Sequence, residues 1–386
     1  MTDNSKITNK KSTSRVWTAL LCAAVVFCLC PNAMAYWENG FSAEHVGAMM
    51  AFPNSCAVVE SNGVVYCIGG TNALRKIYSY DLATGETALA GALDRDMKWG
   101  FAGAATSDGV IYLSPPLYSV TGTITYSQIC SYNLSTHEFV ETEAGFSESI
   151  AYAGIIAGPD GYIYTYGGQT AEGYNGKIYR LDPSDESFEY FATLPNETSL
   201  YSPAIFAKNG LLYIFNLYNA LYEVYSLDPS TGQALLVADI STYITDNRLA
   251  ITGNPWVYED DIFILCQDSE AAVLTLCKFD TSDNTFVDTG VVPPFCKTSF
   301  GLLQQDDTNV YFLGGYKCED SSATLDVYKL TPFCIPEEIP YQFSSGQPAM
   351  AEEVNENFDL LLEKYNALNC ELQKIKAWAE AQGYEP

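Results

Sequence analysis

The sequence predicts an all-β protein: six four-stranded sheets stacked around an axis, followed by a C-terminal helix. Three observations predict it. Apolar–aromatic pairs recur through the chain, with their aromatic members at 66, 112, 164, 213, 263 and 311, so the intervals are 46, 52, 49, 50 and 48 residues. A second marker keeps the same beat, an aromatic or Leu followed by Asp or Asn: Tyr80-Asp81, Tyr132-Asn133, Leu181-Asp182, Leu227-Asp228 and Phe279-Asp280. Composition then changes after Pro336, where the strand pattern stops.

The chain begins with a segment that reads as a cleavable signal. Lys6, Lys10, Lys11 and Arg15 precede the apolar run "VWTALLCAAVVFCLC", and Ala33-Met34-Ala35 places small residues before Tyr36. This is the pattern of a secretory leader spanning 1–35, cut after Ala35. A retained membrane anchor is the alternative, but the apolar run falls short of the roughly 20 residues that span a bilayer. Leu29-Cys30 offers a lipid-attachment cysteine, yet Cys28 stands where a small residue is expected. The expected location is secreted or periplasmic, with no membrane span in the mature chain. Without residues 1–35 the chain keeps 15 basic and 46 acidic residues. So acidic a surface repels phosphate backbones and anionic lipid heads, which argues against nucleic acid as a partner.

Each repeat of about 50 residues has room for four short strands. The first is small and apolar and ends in a polar turn, as in "SCAVVESNG", "IAGPDG" and "IFAKNG". The second holds the apolar–aromatic pair and in three copies stops at two glycines: "VYCIGG", "IYTYGG" and "VYFLGG". The third ends at the Asp or Asn marker. The fourth follows turns such as "LATGET", "LSTHEF", "PSTGQA" and "TSDNTF". Asp and Asn there bond their own backbone two residues on, which is turn chemistry rather than calcium binding. The double glycines read as structural too: residues without Cβ take φ > 0 and let another backbone approach. One such sheet cannot bury both faces alone, and stacking copies around an axis solves this. The sixth copy ends after its third strand, "TLDVYKL". The segment "GFSAEHVGAMMA" is therefore expected to supply its outer strand and close the ring.

A double glycine after a hydrophobic strand, an aromatic-bearing strand and then "D-x-x-T-G" resembles the kelch repeat, over roughly residues 45–335. The resemblance implies a six-bladed β-propeller over 36–335, with one four-stranded blade per repeat. The sequence departs from the pattern at Ser114-Pro115, Asn216-Leu217 and Gln267-Asp268, where the double glycine is missing. The fourth-strand Trp of the family is also replaced by Phe139, Phe188 and Phe286.

Residues 336–350 read as a linker. Over 351–382, Val354, Leu361, Leu368 and Ile375 lie seven apart, and Phe358, Tyr365, Leu372 and Ala379 follow each by four. That is an a/d seam, expected to form a helix that either self-associates as a short coiled coil or docks on the propeller. Self-association would make the protein a homo-oligomer.

Nine cysteines remain after residue 35, and in an exported chain disulfides are allowed. Cys56 with Cys67 and Cys266 with Cys277 are the preferred pairs, each 11 apart across a predicted turn, and Cys296 with Cys318 is a third. Metal and cofactor sites are not expected: there is no CxxC, and His45 and His137 are the only histidines. Propellers bind ligands at the mouth of the central channel. Lys98, Arg248 and Lys297 fall near the starts of predicted inner strands, with Glu148, Trp99 and Tyr201 at comparable places. Cations with a carboxylate and aromatics suit a sugar acid or another small anion. Motifs for serine hydrolases, zinc proteases and phosphate loops are absent from the sequence. The sequence therefore favours a non-catalytic module that binds a protein or glycan. The alternatives are a sugar-acid mutarotase or epimerase, as in the sialic-acid mutarotases of the kelch family, and a structural surface component.

Overall fold

The computed structural model describes residues 35–36 and those of 41–332 outside 51–55, 71–74, 95–102, 106–107, 116–126, 199–201, 219–220, 242–247, 250–253, 259, 269–272, 292–296, 299–300, 307–308 and 318–321. The expected leader up to residue 34, the linker and the C-terminal helix lie outside the described residues.

Strands β1 (Ala35–Tyr36) and β2 (Phe41–Ala48) precede the repeats. The first blade is β3 (Ala57–Ser61), β4 (Val64–Ile68), β5 (Lys76–Asp81) and β6 (Thr87–Ala92). The second is β7 (Gly103–Ala105), β8 (Val110–Leu113), β9 (Gln128–Asn133) and β10 (Phe139–Gly145). The third is β11 (Gly154–Ala157), β12 (Ile163–Tyr166), β13 (Asn175–Leu181) and β14 (Phe188–Thr198). The fourth is β15 (Ala204–Phe206), β16 (Leu212–Tyr218), β17 (Leu221–Leu227) and β18 (Ala234–Asp239). The fifth is β19 (Arg248–Leu249), β20 (Trp256–Tyr258), β21 (Asp261–Asp268), β22 (Val273–Asp280) and β23 (Thr285–Val291). The sixth is β24 (Lys297–Thr298), β25 (Gly301–Gln304), β26 (Val310–Leu313), β27 (Tyr316–Lys317) and β28 (Asp326–Pro332).

All blades are antiparallel, and the first full strand of each touches that of a neighbour, so these strands line the axis of a six-bladed propeller. Among the described residues the sixth blade has no strand of its own after β28. Its outer strand is β2, paired from Phe41 with Pro332 to Ala48 with Asp326, and β1 adds to it. The ring is thus closed by joining the two ends of the repeat region, as expected.

The core is six separate clusters, one in each seam between blades. This explains the apolar–aromatic pair. Successive strand residues point to opposite faces, and both faces of a blade's second strand are covered. Ile163 faces the seam with the second blade and Tyr164 the seam with the fourth. Ile262 and Phe263, like Val310 and Tyr311, divide between adjacent seams in the same way. Each fully buried side chain of this size contributes about 1.5–3 kcal/mol. The outer strands carry the exposed apolar residues Leu89, Val140, Tyr190 and Val287.

The aromatic marker is also anchored at the turn before it. The Tyr164 hydroxyl donates to Asp160 Oδ2 at 2.6 Å, and Asn209 Nδ2 donates to the Tyr213 hydroxyl at 3.0 Å. A register shift recurs where the third strand meets the fourth, at Ile77/Tyr78, Ile178/Tyr179, Val224/Tyr225 and Leu276/Cys277. Such bulges increase strand twist. Between the fifth and sixth blades, Gln304 acts as a piece of backbone: its Oε1 accepts from the Val257 amide at 2.9 Å, and its Nε2 donates to the Val257 carbonyl at 2.7 Å. It thereby satisfies the free edge of an inner strand.

Candidate functional site

The two faces of the ring are built differently. Gly154 pairs with Tyr166, so each inner strand begins beside the end of the second strand. One face therefore gathers the connections into the inner strands and the loops between second and third strands. The other gathers the tight turns.

On the turn face the Asp and Asn markers are committed to their own backbone, and the ion pairs Arg180–Glu189 and Lys278–Asp261 run along the ladders beside them. Asp81 Oδ1 accepts the Ala83 and Thr84 amides at 2.9 and 2.8 Å, and Asn133 Oδ1 accepts those of Ser135 and Thr136 at 2.8 and 3.0 Å. Asp228 and Asp280 accept from the amides and hydroxyls of Ser230 and Ser282. These donors hold the carboxyls below the usual range: first the Thr84 amide at Asp81, the Ser230 hydroxyl at Asp228 and the Ser282 hydroxyl at Asp280.

The loop face carries side-chain pairs instead. Glu148, on the connection between β10 and β11, lies 3.9 Å from Lys177 of β13, and both are part-exposed. At the seam of the third and fourth blades, Asn216 stands opposite Glu223 in the β16–β17 ladder. Glu223 Oε1 accepts from Asn196 Nδ2 at 2.9 Å, and its other oxygen accepts from the Tyr225 hydroxyl. Asn216 is fully buried and its side chain also bonds Tyr225. Burial first, and then the bond to Glu223, push the Tyr225 phenol well above its usual range. It is thus a proton donor at any working pH. Asp239 faces Glu223 across the β17–β18 ladder, leaving this corner acidic.

The residues singled out by sequence fall on this face where they can be placed. Glu148 is described in full. Arg248 and Lys297 are placed by backbone alone. They sit in short strands ahead of β20 and β25: Arg248 pairs with Asp268, and Lys297 with Lys317. Lys98, Trp99 and Tyr201 lie outside the described residues. Asn196, Asn216, Glu223 and Tyr225 were missed. The available signal was Asn216 itself, a polar residue where three copies have glycine.

Cys56, Cys67, Cys266 and Cys277 carry no S–S bond here, so neither expected pair is shown. Cys296 and Cys318 lie outside the described residues. Among the described residues no group of three or more His, Cys, Asp or Glu is arranged to hold a metal ion, and no helix is long and apolar enough to cross a membrane.

Residues 54–86, which cover most of the first blade, match the Kelch motif. No curated protein matches the chain. Among solved structures it is similar to the one titled "Structure of YjhT", at 13% identity and a TM-score of 0.58, over 72% of this chain and 95% of that one. At that identity the likeness is one of fold.

Proposed function

We propose that this kelch-like six-bladed propeller is an exported, non-catalytic module that binds a protein or glycan on its loop face. The observation that carries the reading is the contrast between the faces. The turn face uses Asp81, Asp228 and Asp280 internally, with ion pairs only along its ladders at Arg180–Glu189 and Lys278–Asp261, whereas the loop face gathers an amide, a carboxylate and a phenol from two blades at Asn196, Glu223 and Tyr225, beside the part-exposed pair Glu148–Lys177. Amide, carboxylate and cation side by side are the groups that fix the orientation of a polar ligand. Residues 351–382 would oligomerise the module and multiply weak contacts.

The test is a thermal-shift and glycan-array screen of residues 36–386, using Lys177→Ala and Asn196→Ala on the loop face and Ser230→Ala on the turn face. A ligand present at 100 times its Kd stabilises by about 2.7 kcal/mol. Binding lost in the loop-face variants and kept in Ser230→Ala is the expected result. Binding that only Ser230→Ala removes would put the site on the wrong face.

A second reading is a carbohydrate-active enzyme such as a sugar-acid mutarotase. It is favoured by the placement of Glu148, Arg248 and Lys297 on one face. Anomer exchange of a sugar acid, followed by NMR and abolished in Arg248→Ala, would select it. The third, a structural surface component, predicts that deleting 340–386 abolishes assembly.

A further inference from the structure

The ring closes at the seam between the sixth and first blades. Met49, Val65, Cys67, Tyr80, Tyr311, Leu313 and Val327 are buried there, and Cys56 packs against them. Cys67 sits on β4, just before the double glycine. In the β3–β4 ladder Val58 faces Cys67, so Cys56, two residues before Val58, points to the same side of the sheet. Cys56 precedes the last ladder pair, Ala57 with Ile68, and is not held by the ladder itself. Its thiol reaches that of Cys67, and the two are hydrogen-bonded. Cys266 and Cys277 are fixed differently: both lie inside one ladder, opposite Thr275 and Ile264, which staggers them by a full step.

We propose that Cys56 and Cys67 form a disulfide that pins the start of the first blade beside the strand closing the ring. This rests on the reading that the chain is exported. Cys56 is the half-buried member and Cys67 the buried one. The hydrogen bond from Cys56, and then burial, hold the Cys67 thiol well above its usual range, so Cys56 reacts first. The Cys56 thiolate attacks one sulfur of a small-molecule or dithiol-protein disulfide and displaces a thiolate. The Cys67 sulfur then attacks Cys56 in the mixed disulfide, expels the second thiol and passes its proton to it. Two protein thiols are oxidised and one external disulfide is reduced. The bond staples the residue that leads into β3 to the end of β4, within the first blade and against the seam that closes the ring.

The test uses the full chain purified after export, and the same chain equilibrated in glutathione buffers. Free thiols are blocked with iodoacetamide and the peptides mapped by mass spectrometry without reduction. The expected result is a Cys56–Cys67 linked peptide, lighter by two hydrogens, and a melting temperature that falls by several degrees on reduction. Cys56→Ser should melt like the reduced protein under both conditions. Both cysteines alkylated at an oxidising poise, or Cys56 bonded elsewhere, would overturn the proposal. A bond that forms in glutathione but is missing from protein made in cells would support the pairing and count against export.

Discussion

The first, third and sixth blades differ from the fourth and fifth in one place. In the former, the second strand ends at Gly69-Gly70, Gly167-Gly168 and Gly314-Gly315, all with φ between 64 and 105°. In the latter, the strand runs on through Asn216 and Gln267 as a continuous hairpin, with Tyr218 paired to Leu221 and Asp268 to Val273. The third blade shows what the glycines permit. A Cβ on Gly168 would lie 2.8 Å from the Ala151 carbonyl oxygen and 3.0 Å from the Ala153 amide. The chain entering the inner strand crosses there and bridges to Gln169. The glycine pair is thus a crossing point. In the fourth and fifth blades the second and third strands extend the ladder further over the loop face, and in the fourth the polar side chain of Asn216 occupies the same position.

The sharpest way to break this contrast is Gly168→Ala. It adds a clash to a left-handed backbone and should cost about 3 kcal/mol, read as a drop in the denaturation midpoint. A neutral result would mean that the crossing is not tight. Next in size is Asn216→Ala in the fourth blade. It removes one of three hydrogen-bond partners of the buried Tyr225 hydroxyl, leaving Glu223 and Asn196, and should cost about 1–2 kcal/mol. Tyr225→Phe in that background should then cost little more, because both act through one network. Additive losses would separate them.

The smallest effect belongs to what the two kinds of blade share. Asp81, Asp228 and Asp280 are held below their unfolded-state pKa of about 4 by turn donors. Their contribution is therefore present above about pH 4 and is lost as pH falls through the lowered folded-state values. A melting series from pH 7 to 2 should show a decline at the acid end. Asp228→Asn should lower the neutral melting temperature slightly and make that decline shallower.

Much of the fold was legible because it repeats. Pairs such as Ile163-Tyr164 report a strand buried on both faces, and Asp81 or Asp228 report a turn, by chemistry that is local to a few residues. The closing strand β2 could be foreseen from the missing fourth strand after "TLDVYKL". The site was much less legible. Arg248 and Lys297 were expected near the starts of inner strands, and the structure puts their backbone in short added strands ahead of β20 and β25. Glu223 gave no signal at all, since its partners Asn196 and Asn216 lie on different strands and, for Asn196, on a different blade.

By itself the sequence determined the period, the number of blades, the turns and the way the ring closes, because strand alternation and turn chemistry act over a few residues and repeat six times. Only the tertiary structure decided which polar groups share a face, as Asn196 of the third blade and Glu223 of the fourth do. The physical reason is that such contacts depend on ladder register and on how one blade sits against the next, and no local pattern of residues encodes either.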